Sequence, residues 1–118
     1  MPWELEDRFA DYAVRILRMS AALPKAEEAL HIRRQILRSG TSAGANYHEA
    51  RGAESRPDFV HKLQIVLKEL RETHFWLRII SSLKFTKNGQ LSSILAETEE
   101  LIAITVRSLK TARRGMDS

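Results

Sequence analysis

The side chains with chemical potential in this 118-residue chain are four histidines, a few carboxylates on otherwise apolar stretches, many serines, and a surplus of arginine and lysine. His31, His48, His61 and His74 have no i, i+3 or i+4 spacing, so no two of them share a helix face as a metal pair requires. His48-Glu49 begins like a zinc-protease motif, but Gly52 stands where its second His belongs. Gly40 and Gly44 are neither preceded by a strand pattern nor followed by the Gly-Lys-Ser/Thr of a phosphate-binding loop. Gly40-Thr41-Ser42-Ala43-Gly44 has the letters of Gly-x-Ser-x-Gly but no strand pattern before it, so it offers no strained elbow, and there is no Cys to act as nucleophile or ligand. Glu49, Glu69 and Glu72 would need a cleft to work as a catalytic pair. The plainer expectation is structural, with Glu69 and Glu72 satisfied by Arg38 or Arg71. The expectation is a non-enzymatic protein with no catalytic residues, no cofactor and no metal.

Basic residues form the one suggestive constellation. Arg8, Arg15 and Arg18 lie on one side of the first segment, Arg33, Arg34 and Arg38 cluster in the second, and Lys68, Arg71 and Arg78 in the third. Arg107, Lys110, Arg113 and Arg114 crowd the end of the fourth. Each cluster can be a solvated face, or cations placed well at a helix C-terminus. The candidates for phosphate contact are Arg15, Arg18, Arg34, Arg38, Arg71, Arg78, Arg107, Lys110, Arg113 and Arg114. Contact through them would release counterions and depend little on base sequence, because no base-reading motif accompanies them.

These residues must be held by elements, and the elements are legible from apolar period. The first helix is expected over residues 3–22, with Leu5, Phe9, Tyr12, Ala13, Ile16, Leu17 and Ser20 inward. Pro24 ends it and can start the next, expected over 25–52, with Leu30, Ile36, Leu37, Gly40, Ala43, Gly44 and Tyr47 inward. Each Gly costs about 1 kcal/mol in a helix interior. Their spacing of one turn favours a continuous helix against which a neighbour's backbone packs closely. Ser55, Pro57 and Asp58 are a helix start signal for a third segment over 56–83. Its seam of Phe59, Leu63, Val66, Leu70, Thr73, Leu77 and Ile80 alternates fours and threes as a heptad does. A fourth, over 88–112, repeats this with Leu91, Ile94, Thr98, Leu101, Thr105 and Leu109, after a turn at 83–89. Nothing alternates with period two. The class is all-α, an antiparallel up-and-down four-helix bundle in one domain over 1–118.

Helix three also carries Val60, Ile65, Leu67, Phe75, Trp76 and Ile79 outside its seam. They widen the core face or mark a subunit interface, for which Ile65, Phe75, Trp76 and Ile79 are the candidates. Composition sets the outer bounds. At 43% hydrophobic and 29% charged, the chain has material for one packed core. Its net charge of +4 speaks to association and not to a reaction. The absence of Cys, of a spanning apolar run and of a basic-then-apolar start leads to the expectation of a cytoplasmic protein without membrane contact.

The stretch from Leu23 to Ser55, followed by Asp58 to Ile80, resembles a bacterial four-helix bundle family associated with intervening sequences of 23S ribosomal RNA genes. The resemblance covers about residues 5–110. It is carried by Gln35 to Ser39, Thr41, Ser42, Asn46 and Glu49, then by Leu67-Lys68-Glu69, Glu72, Thr73, Trp76 and Leu77. Ala50 departs from the Gly that often follows the family's Asn-x-x-Glu. The chain is also similar to the accessory variability protein of diversity-generating retroelements. That resemblance implies a homo-oligomer, a pentamer, with a basic surface for RNA, DNA or a nucleic-acid-handling protein such as a reverse transcriptase. The alternative is an oligomeric protein-interaction scaffold in which Lys and Arg only solubilise.

Overall fold

The computed structural model describes residues 4–86 and 88–117, which form four helices: α1 (Leu5–Ala21), α2 (Glu27–Arg51), α3 (Arg56–Leu83) and α4 (Asn88–Asp117). Among the described residues there is no strand. The first residue expected in helix one, residue 3, and position 87 of the expected turn lie outside the described residues.

Helix ends follow local chemistry. Ser55 caps α3 by accepting the Asp58 backbone N–H at 3.1 Å, with Pro57 in the first turn. Lys84 closes α3 in the left-handed conformation, φ 54°. Three expectations shift. Pro24 stays in the connector, because Ala26 is extended and α2 opens at Glu27. The turn before α4 is shorter than 83–89: α3 keeps Leu83 and α4 already contains Asn88 and Gly89. At its other end α4 runs past residue 112 to Asp117, since Arg113 and Arg114 favour helix and no Pro intervenes.

α2 is unbroken through Gly40 and Gly44, and the reason is α1. A Cβ on Gly40 would stand 2.7 Å from Ile16 Cγ2. One on Gly44 would stand 3.3 Å from Phe9 Cβ and 3.4 Å from the Phe9 carbonyl oxygen. The helix pairs are in register over long distances. Up α1, Phe9 meets α2 at Tyr47 and Gly44, and Ile16 meets it at Gly40. Ser39 meets Thr73, and Lys62 meets Glu49, across α2 and α3.

The core joins Phe9, Tyr12, Ile16 and Met19 of α1, Ile32 and Ile36 of α2, Val66, Leu70, Leu77 and Ile80 of α3, and Leu91, Ile94 and Leu101 of α4. A second cluster of Ala50, Val60, Leu63, Leu109 and Ala112 closes the end where α3 begins. The seams of α3 and α4 are buried as their spacing predicts, except that Phe59 is only half-buried. Two inner faces differ. Leu17 is 47% exposed while Met19 takes its place inside, and Leu30 is 38% exposed while Ala29 and Ile32 face inward. An apolar side chain is ambiguous by type; the packed direction of each helix is set by Tyr12 and Ile36, which have no exposure.

Candidate nucleic-acid and self-association surfaces

The carboxylates resolve first. Arg38 donates from Nη1 to Glu69 at 2.9 Å and from Nη2 to Glu72, which also accepts the Trp76 indole N–H at 3.1 Å. Arg38, and then Trp76, hold the Glu72 carboxyl below the usual carboxylate range. Arg71 takes no part in this network. Glu49 is exposed and accepts from Lys62 at 2.9 Å, so it is no buried helix carboxylate. His48 pairs with Glu6, and His74 lies 3.1 Å from Glu99, partners that sequence spacing does not reveal. Among the described residues no group of three or more His, Cys, Asp or Glu gathers as a metal site would require.

The basic candidates divide into committed and free cations. Arg38 is committed, which takes it out of the set available to phosphate. Arg15 donates to Ser93 Oγ at 2.7 Å, and Arg8 makes a two-pronged contact with Glu97 at 2.8 and 3.2 Å. Arg18, Arg34, Arg71, Arg78, Arg107, Lys110, Arg113 and Arg114 are exposed, and among the described residues none meets a carboxylate.

They do not form one patch on a single chain. Arg15 touches Ser93, whereas Arg107 lies fourteen residues further along α4, about 21 Å at helical rise. Arg107, Lys110, Arg113 and Arg114 therefore belong to the opposite end of the bundle from Arg18. There they gain Arg56, which sequence analysis had not singled out. Arg56 and Phe59 of α3 face Ile104, Arg107, Ser108 and Thr111 of α4 across a hollow of about 380 Å³. Fifty-one positions separate Arg56 from Arg107, and only the pairing of α3 with α4 joins them.

The interface candidates fare unequally. Phe75 is 51% exposed; Ile65, Trp76 and Ile79 are half-buried. Trp76 and Ile79 pack on the main core, so part of the apolar surplus of α3 widens that core. Phe75 and Trp76 stack edge to face at 5.0 Å, and with Ile79, Ile32 and His31 they form an apolar groove of about 530 Å³ rimmed by Glu27 and Glu28. Ile65 lies ten residues from Phe75, about 15 Å away and outside the groove. No helix among the described residues is long and apolar enough to cross a membrane.

Four long helices around a shared core, with a basic end and an aromatic groove, define a four-helix bundle protein whose distinctive features are surfaces. The chain belongs to the 23S rRNA-intervening sequence protein family, whose profile matches residues 5–107. It is similar to a crystal structure from Bacteroides thetaiotaomicron, described as a protein with unknown function from the S23 ribosomal protein family. The two are 36% identical with a TM-score of 0.84, over 91% of this chain and 99% of the other. No curated protein matches the chain.

Proposed function

We propose that this protein is a non-enzymatic, cytoplasmic, homo-oligomeric bundle of antiparallel helices that offers basic surface to RNA or DNA, or to a protein that handles them, such as a reverse transcriptase. The observation that carries this reading is the basic end: Arg107, Lys110, Arg113 and Arg114 are exposed without carboxylate partners among the described residues, and Arg56 joins them. Phosphate binding there needs no competing ion pair to break. The pentameric form is taken over from the accessory variability protein of diversity-generating retroelements, as an analogy. The non-enzymatic part is supported by the engagement of Glu69 and Glu72 with Arg38.

Fluorescence anisotropy with mixed-sequence RNA and DNA oligonucleotides tests the nucleic-acid role. Binding should be clear at about 50 mM salt and fall steeply as salt rises, with little dependence on base sequence. If neither nucleic acid binds at that ionic strength, the protein is an interaction scaffold. The separation of Arg18 from the Arg107 end within one chain favours this second reading, because it leaves only a short basic stretch at either end.

A further inference from the structure

Building on the self-association proposed above, we infer that the faces that meet are unlike: the aromatic groove between α2 and α3 of one copy receives the aliphatic face between α1 and α2 of the next. Of the large apolar side chains left exposed among the described residues, Leu83 and Met116 lie at the ends of α3 and α4, and the other four flank α2 on two sides. On the α3 side is Phe75, projecting from the groove. On the α1 side are Val14 and Leu17 of α1 and Leu30 of α2, which are 41%, 47% and 38% exposed. Leu30 belongs to that side by its spacing: positions 30, 33, 37, 40 and 44 form one ladder of threes and fours, and Gly40 and Gly44 pack on α1.

The two faces also stand at the same height. Gly40 lies against Ile16, and Ser39 against Thr73, so Leu17 and Phe75 are within about one helical turn of each other along α2. A rotation about an axis parallel to the bundle thus brings one face to the other without sliding. Contact between unlike faces repeats from copy to copy until it closes a ring. Charge selects a second copy as occupant. The groove is rimmed by the exposed acids Glu27 and Glu28, while the ladder carries exposed Arg33, with Arg34 beside it, and none of the four has an ion-pair partner among the described residues. Opposed edges of this kind fix register as well as partner.

Complementation between two variants tests the pairing. Phe75→Arg spoils the groove and leaves the aliphatic face intact; Leu17→Arg does the reverse. Both side chains are exposed, so the variants should keep their helices, which circular dichroism checks. By light scattering after size exclusion, each alone should fall to the 13.5 kDa of one chain, and an equimolar mixture should rise to twofold that mass. The mixture has one sound interface and cannot extend it. If either variant keeps the parent's assembled mass, or the mixture stays at one chain's mass, the pairing of unlike faces is wrong although self-association stands. A parent protein of 13.5 kDa at micromolar concentration overturns both.

Discussion

Glu69 is a carboxylate with only 7% of its side chain exposed, and it is tolerable because Arg38 reaches it. The same guanidinium holds Glu72, so one cation satisfies two acids a turn apart on α3. Replacing Arg38 with Ala strands Glu69, an uncompensated charge whose cost is moderated by water reaching the half-exposed pair. The expected loss is about 1–2 kcal/mol in urea unfolding, and an unchanged midpoint would show that solvent replaces the arginine. Acid sensitivity follows from the same contacts. The folded pKa of Glu72 is depressed below its usual 4.5, chiefly by the Arg38 hydrogen bond. Its contribution to stability is therefore complete above that value and is lost as pH falls through the lowered one. Glu72→Gln should flatten the decline of stability below pH 4.5, which thermal melts across that range would detect. The carboxylate network was legible in sequence because Glu69 and Glu72 flank a seam. Sequence left Arg38 and Arg71 as alternative partners; that Arg38 alone would serve both acids, and so be withheld from phosphate, was not legible.

Element ends and seams were the most legible features, for reasons that differ by helix. α3 was read to the residue at both ends, since Ser55 and Pro57 announce its start and a connector follows Leu83. Ser55→Ala removes the acceptor for the Asp58 N–H and should cost about 1 kcal/mol, lowering Tm by roughly 4 °C. A melt unchanged within error would mean that water caps the helix equally well. The glycines of α2 were legible as a packing device, and their partner on α1 is now identified. At Gly44 the neighbour is the backbone of Phe9, which cannot rotate away, so Gly44→Leu should destabilise by about 1–3 kcal/mol through overpacking. Stability equal to the parent's would place this contact outside the folded core. Leu17 and Leu30 were misread as inward. Period alone reports that a helix has an apolar stripe; it does not say whether the stripe is covered by the same chain or by another. Both residues fall on the face assigned to the neighbouring copy.

At the scale of the molecule, 51 Å along its longest axis, Arg15 and Arg18 lie toward one end of the bundle and Arg107 to Arg114 at the other, a separation that the linear clusters do not reveal. The Arg107 to Arg114 stretch was visible in sequence as a run, but its neighbour Arg56 comes from the start of α3 and arrives only through helix pairing. A closed ring of parallel copies would repeat this end around a circle, turning a short basic stretch into a continuous one that a nucleic-acid strand can follow. Affinity at low salt should then depend on assembly: an unassembled variant such as Phe75→Arg should bind far more weakly than the parent, although it retains every basic residue. The contribution of the end itself is read from the salt dependence. Each phosphate neutralised adds about 0.7 to 0.9 to the slope of log K against log salt. Replacing Arg107, Lys110, Arg113 and Arg114 with Gln should flatten the slope by about three for each copy in contact with the strand, and leave helix content unchanged because all four are exposed, and assembly unchanged because none lies on the aromatic groove or the aliphatic face. A slope that does not move after the fourfold replacement would assign any observed binding to Arg18, Arg34, Arg71 and Arg78 instead.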